Sequence, residues 1–405
     1  MKKRGTFLLA ISIAMLTITP TVDASAAGSV KVNLFDENRI ESINNSYPSL
    51  NEFNCYNVSD IRSDNLTEKK STSKTLLIGR FDTSDAAGPK FAWSNTTIKA
   101  NFVGTGISVN LKSTGDNWFN VIVDGVVQTP INVTSTTSSP IALVSGLEKG
   151  KHTIELVKRT EAFVGDVQFL GFSVSDGKLL NPPKPSSKRI LFIGDSITCG
   201  YGNEGTDPNK SFTTKNENAS LAYGALTAKL LGADPMTICW SGKGVLRNYG
   251  GDPKDVMPEI YNQVLPYNKN LTWNPKNWVP QVIVINLSTN DYSVGIPDKT
   301  TFTAVYSKFI DNIRSEYPKA DIYCAIGPML NGENLDSQRD YISGIVKSKE
   351  ASIHNKVHFI EFPQQDFANG LGEDWHPSVK THELMAKQLA EKIKTDLGWK
   401  VYSGN

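Results

Sequence analysis

Residues 189–202 read Arg189-Ile190-Leu191-Phe192-Ile193-Gly194-Asp195-Ser196-Ile197-Thr198-Cys199-Gly200-Tyr201-Gly202. A short, nearly continuous apolar run is the pattern of a strand buried on both faces. Gly194-Asp195-Ser196 at its end predicts a tight turn into a helix, with the Ser196 hydroxyl held out at the sheet edge. Asp195 and Ser196 also read as an ordinary turn and helix cap, so the triplet decides nothing by itself.

Working outward, four further runs have the same character: Met236–Trp240, Val282–Leu287, Ile322–Ile326 and Val357–Phe362. Between them lie helical patterns over Ala219–Leu231 and Thr300–Tyr317. A last helix after His376 repeats apolar residues at Met385, Leu389, Ile393 and Leu397 on one face. Strand and helix in alternation predict an α/β fold, a doubly wound parallel sheet whose site lies beyond the carboxyl ends of its strands. Upstream the rhythm differs. Ile98–Phe102, Ile107–Leu111, Phe119–Val123 and His152–Val157 alternate apolar and polar positions, with turns expected at Gly104-Thr105-Gly106, Asp124-Gly125 and Lys149-Gly150. That predicts a β-sandwich, of jelly-roll type, ahead of the α/β region. The expected organisation is a signal segment over 1–26, a polar lead-in over 27–74, the β-sandwich over 75–180, a Pro-rich linker over 181–187 and the α/β domain over 188–405.

The signal is read from Lys2, Lys3 and Arg4, the apolar run from Phe7 to Ile18, and Ala24-Ser25-Ala26, with cleavage after Ala26. The run falls short of the ~20 residues needed to span a bilayer, so export rather than anchoring is expected. The 405 residues carry 42 Lys and Arg against 41 Asp and Glu, a net charge of +1 that gives no electrostatic reason for a nucleic-acid or anionic-membrane partner. Four Cys are too few for a disulfide framework, and no Cys/His cluster has zinc spacing. Cys199, Cys239 and Cys324 lie in or beside apolar runs and are expected as buried free thiols, while Cys55 has no obvious partner.

Four segments carry chemistry, three directly after predicted strands and one before the last helix. They are Gly194-Asp195-Ser196, Ser241-Gly242-Lys243-Gly244, Ser288-Thr289-Asn290-Asp291 and Glu373-Asp374-Trp375-His376-Pro377. Each alone reads as a turn or a cap. Together they offer a nucleophile in Ser196, oxyanion donors in the Ser196 and Gly242 N–H groups and the Asn290 amide, and a base in His376. Among five His residues only His376 combines a site-side loop with neighbouring carboxylates.

The order Gly194-Asp195-Ser196, Gly242, Asn290, His376 resembles the SGNH hydrolase (GDSL esterase) superfamily. More closely, residues 194–202, 240–245, 247–250 and 374–378 resemble carbohydrate esterase family two, as do Gly79–Asp82, Asp124-Gly125 and Lys158–Ala162 in the β-rich region. The resemblance covers roughly residues 75 to 400. It implies an SGNH-type parallel sheet behind a jelly roll and a serine esterase that removes acetyl groups from xylan or a related polysaccharide; the chain is expected to be secreted and a monomer. No metal or organic cofactor is implied. It also implies carbohydrate contacts from Asp374 and Trp375, and Tyr249 offers a further stacking face. The superfamily places Asp three residues before the His, where this chain has Glu373; either Glu373 completes a triad or His376 works in a dyad, and Glu373 is taken as the orienter. Ser288 stands where the family commonly has Gly, so a positive φ there would carry strain. Two other readings are a lipase or thioesterase of the same superfamily and a carbohydrate-binding protein with a decayed site.

Overall fold

The computed structural model describes residues 74–351 and 356–402, so the expected signal segment, Cys55 and nearly all of the lead-in lie outside the described residues. The first region is built of antiparallel strands. They are β1 (Thr75–Ile78), β2 (Lys90–Phe91), β3 (Thr97–Ser113), β4 (Asn117–Val123), β5 (Val126–Val127), β6 (Ile131–Val133), β7 (Ile141–Lys158), β8 (Val167–Ser175) and β9 (Lys178–Leu179). They form a nine-stranded sheet ordered β2-β8-β3-β7-β4-β5, with β1 and β9 on β3 and β6 on β4. Phe91, Phe102, Phe119, Val121, Ile154 and Leu156 lie in its core. Asp124-Gly125 makes the expected hairpin, both residues at positive φ.

Two expected turns are not turns. Gly104-Thr105-Gly106 lies inside the single long strand β3, and Lys149-Gly150 lies inside β7. The pairing of β3 with β7 slips beside Gly104, Gly106 and Ile107. Inward positions change from Ile98, Ala100 and Phe102 to Ile107, Val109 and Leu111, that is, from even to odd numbers. A bulge does this because one extra residue swaps the faces of a strand. Glycine fits because the opposing backbone is close: a Cβ on Gly104 would stand 2.5 Å from the Ser175 carbonyl oxygen.

Residues 181–187 carry neither helix nor strand. Beyond them the second sheet is parallel, with β10 (Arg189–Gly194), β11 (Asp234–Cys239), β12 (Val282–Asn286), β13 (Asp321–Ile326) and β14 (Val357–Glu361) in the order β11-β10-β12-β13-β14. Its helices are α1 (Ser196–Cys199), α2 (Tyr223–Leu231), α3 (Met257–Ile260), α4 (Lys299–Glu316), α5 (Gly332–Glu350) and α6 (Val379–Leu397). Leu191 and Ile193 pack on one face with Phe309 and Ile313 of α4 and Ile342 of α5. Ile190 and Phe192 pack on the other with Leu231 of α2 and Leu389 of α6. Burying each such side chain stabilises by about 1.5–3 kcal/mol, which is why the run has no polar alternation. Strand β10 lies between β11 and β12, so three of the four site segments leave adjacent strand ends. Trp93, Ala92 and Ala162 of the antiparallel region belong to the first of these two cores.

Candidate active site

Asp195 opens α1 by accepting from the Ile197 N–H at 3.0 Å, and Gly200 closes it at φ 75° with its N–H on the Ser196 carbonyl. The one-turn helix begins where β10 ends because Gly194 has no side chain; a Cβ there would overlap Thr198 Oγ1 at 1.9 Å. Its far end is fastened by a disulfide between Cys199 and Cys239, which corrects the expectation of free thiols at these two positions. Gly194 at the end of β10 pairs with Cys239 at the end of β11, so α1 folds back over a neighbour 40 residues away in the chain. Cys324 is free and buried, as expected.

Ser196 Oγ lies 2.9 Å from His376 Nε2. On the other side of the ring, Nδ1 faces the carbonyl oxygens of Glu373 at 3.2 Å and Asp374 at 3.1 Å. Two acceptors there require the proton on Nδ1, which leaves Nε2 free to accept from the Ser196 hydroxyl. Tyr201 packs against the imidazole, ring centroids 4.2 Å apart. Burial lowers the His376 pKa to about 4, against the opposing pull of the two carbonyls, so the ring is neutral at ordinary pH.

The Glu373 carboxylate does not orient His376. It accepts from the Thr213 N–H (2.7 Å), the Thr213 hydroxyl (2.9 Å) and the Asn216 amide (2.6 Å). Its backbone carbonyl does the orienting. The physical reason is the turn itself: Asp374 at φ 48° and Trp375 at φ 63° are consecutive left-handed residues, which point two carbonyls at the ring and the Glu373 side chain away. Such residues cost of order 1 kcal/mol each, offset by these side-chain anchors. Asp374 Oδ2 likewise accepts from Tyr201 Oη (2.7 Å) and the Phe212 N–H (3.0 Å).

On the oxyanion side, Asn290 Nδ2 lies 3.4 Å from Asp195 Oδ2 and donates to the Lys243 carbonyl at 2.9 Å. That sets its amide between the residue before Ser196 and the residue after Gly242. Gly242 has φ 78°, and its carbonyl accepts from the Tyr249 N–H at 2.8 Å. Asp291 fastens the same loop by accepting from the N–H groups of Val245, Leu246 and Arg247. Burial pushes the Asp195 carboxyl up to about 7. Ser288 has φ 101°, the strained value anticipated for a position better suited to Gly, and its hydroxyl accepts from Gln338. Around this centre Trp375 is 49% and Tyr249 60% exposed, and Phe367, 69% exposed, stands beside Trp375. Glu161, Glu217 and the Cys199 sulfur have ligand atoms within 4.8 Å of one another, but the sulfur is committed to the disulfide.

Two family models match the chain. Residues 77–183 match "Carbohydrate esterase 2 N-terminal" and residues 192–384 match "GDSL-like Lipase/Acylhydrolase family". An acetylxylan esterase / glucomannan deacetylase of Cellvibrio japonicus is 32% identical over 76% of this chain and 86% of its own length. The solved family two carbohydrate esterase from Clostridium thermocellum in complex with cellohexaose is 51% identical, with a TM-score of 0.79 over 80% of this chain and 99% of that one.

The chain belongs to carbohydrate esterase family two.

Membership places it among the carboxylic ester hydrolases, with an SGNH-type parallel sheet behind a domain of antiparallel strands. The Cellulase/esterase CelE of Acetivibrio thermocellus is 50% identical over 336 residues, and the chain spans 41% of that relative's length. Within this family two structure, four residues that brace the site went unread in the sequence: Tyr201, Thr213, Asn216 and Glu161. Tyr201 stood inside the Gly200-Tyr201-Gly202 motif and was readable there; Thr213 and Asn216 sit in a loop without periodicity.

Proposed function

We propose that this chain is a secreted carbohydrate O-acetyl esterase acting through a Ser196–His376 dyad. The observation that carries the reading is the 2.9 Å contact between Ser196 Oγ and His376 Nε2 with Nδ1 held on two backbone carbonyls. Ser196 Oγ bonds to the acetyl carbonyl carbon as His376 Nε2 takes the hydroxyl proton. The Ser196 and Gly242 N–H groups and the Asn290 amide stabilise the oxyanion. The bond to the sugar oxygen then breaks, and His376 returns the proton to that oxygen. Water, deprotonated by the same Nε2, releases acetate and restores Ser196.

An acetylated polysaccharide or oligosaccharide is the proposed substrate, supported by Tyr249, Trp375 and Phe367, whose exposed faces suit sugar rings. The Cellvibrio japonicus relative is named an acetylxylan esterase / glucomannan deacetylase. Export is supported by the pattern over residues 1–26 and by the Cys199–Cys239 bridge, since disulfides persist in oxidising compartments. We read the antiparallel sheet as a jelly roll and the chain as a monomer, checked by light scattering. The test of function is acetate release from acetylated xylan and glucomannan, with 4-nitrophenyl acetate, butyrate and a longer ester alongside. Release that vanishes in Ser196→Ala and declines steeply with acyl length is expected. Better turnover of the long ester moves the assignment to a lipase, and glycan binding without hydrolysis moves it to a binding protein.

A further inference from the structure

Under the oxyanion loop lies a carboxylate that comes from the other region of the molecule. Glu161 follows β7 by three residues, is fully buried, and reaches across to the loop after β11. Its Oε2 accepts from the Ser241 N–H at 2.6 Å, and its Oε1 accepts from the Ser241 hydroxyl. Ser241 is the residue before Gly242. The direction of the Gly242 N–H is the tilt of the peptide plane between these two residues, and that tilt is set by the backbone angles of Ser241 and Gly242 on either side. Glu161 fixes Ser241 at two atoms, while the Tyr249 N–H holds the Gly242 carbonyl at 2.8 Å. The plane is therefore gripped from both ends. The same carboxylate lies 3.7 Å from Cys199 Sγ, at the far end of the helix that Ser196 heads.

Glu161 is itself held firmly. Its N–H donates to Glu217 Oε2 at 2.9 Å, its carbonyl accepts from Lys158 Nζ at 3.1 Å, and Arg159 Nε donates to the Glu217 carbonyl at 3.2 Å. Two carboxyls buried together cannot both ionise cheaply. Burial raises both, and the charge of Glu161 raises Glu217 in addition. The Glu161 carboxylate meets both the Ser241 N–H and the Ser241 hydroxyl, one at each oxygen.

We infer that Glu161 is a positioning residue for the oxyanion hole, so that the antiparallel region takes part in catalysis as well as in folding; this rests on the esterase reading above. The test measures 4-nitrophenyl acetate hydrolysis and thermal melting for the full chain carrying Glu161→Gln, Ser241→Ala or both. Gln keeps the volume but loses the charge and one acceptor, so the Ser241 hydroxyl has to turn and accept from the new amide. Glu161→Gln is expected to lower kcat roughly 10- to 100-fold with KM within about twofold, the scale of a misplaced catalytic group. Because both substitutions break one contact, the double variant is expected to be no slower than Glu161→Gln. The acid limb of the pH profile, which belongs to His376, is expected to stay in place. A folded Glu161→Gln variant with wild-type kcat overturns the inference, as does a deficit that vanishes well below the melting temperature or losses that simply multiply in the double variant. An inert wild type overturns the esterase reading and this inference with it, whereas an active wild type with an unimpaired Glu161→Gln overturns this inference alone.

Discussion

The loop carrying His376 and the loop carrying Gly242 are held in opposite ways. The His376 loop grips its imidazole with its own main chain: two carbonyls on Nδ1, made available by two left-handed residues. Its carboxylates turn away from the imidazole and fasten the loop to residues 201–216. The Gly242 loop is held by carboxylates from elsewhere, Asp291 from the end of the third site segment and Glu161 from the antiparallel region. Where a backbone carbonyl does the orienting, nearby acidic side chains are free for other work. Their presence beside a base is then a poor guide to their role.

The largest expected effect treats the two loops alike. His376→Ala is expected to cost at least about 1,000-fold in kcat, close to Ser196→Ala, because nucleophile and base act as one unit. Initial rates on 4-nitrophenyl acetate check this, and additive losses in the double variant would contradict it. Next comes the Gly242 side. Asn290→Ala is expected to lower kcat about 100- to 1,000-fold with little change in KM, the loss seen when one oxyanion donor is removed. The contrast between the loops is tested most directly by Glu373→Gln. A carboxylate that oriented the base would lose about 10⁴-fold on amidation. Here less than 10-fold is expected, with a melting temperature lower by several degrees, since a buried acceptor loses its match to Thr213 and Asn216.

Smaller still is the pH signature. With the His376 pKa lowered to about 4, kcat/KM should hold level down to about pH 5 and halve near pH 4. Its folded pKa lies below the ordinary value near 6.5, so protonation favours the unfolded chain and stability declines as pH falls from about 6.5 to about 4. Asp195, its carboxyl pushed up to about 7, acts on stability in the opposite sense, lowering it as pH rises from about 4 to about 7, a trend that Asp195→Asn removes without moving the activity limb at pH 4. An acid limb that sits near 6.5 in the wild type would contradict the buried dyad. The smallest effect is expected for Ser288→Gly. Relief at φ 101° and loss of the Gln338 hydrogen bond oppose each other, leaving stability within about 1 kcal/mol by denaturant titration.

Much of this was legible because buried strands advertise themselves. All five parallel strands match apolar runs, and Ser196, Gly242 and Asn290 stand out as candidates because each follows such a run directly. Helix α5 was not read, although its buried positions Leu335, Gln338, Ile342, Ile345 and Val346 keep helical spacing, because the segment around them is mostly polar. The bulge in β3 was hidden because a Gly-Thr-Gly stretch looks the same as a turn until a neighbouring strand shows how close it runs. The role of Glu373 was misread for a different reason. Spacing places a carboxylate three residues from a His, but only backbone angles decide which of its oxygens faces the ring. Glu161 and the Cys199–Cys239 bridge depend on contacts 80 and 40 residues apart, a distance over which one sequence carries no pairing signal.

The Pro-rich stretch over 181–187 looks like an invitation to cut, and an engineer seeking a minimal catalyst would begin at residue 188. The Arg80 guanidinium, fully buried, donates to the backbone carbonyls of Tyr261 and Gln263, and the Trp93 indole N–H also donates to Gln263. Trp93 sits in the interior shared with α4 and α5. A chain trimmed at the linker would expose that apolar wall and leave three carbonyl contacts unfilled. The smallest portable piece of this protein is therefore the whole stretch from β1 to α6, and any graft, fusion or shortened version has to carry both sheets together.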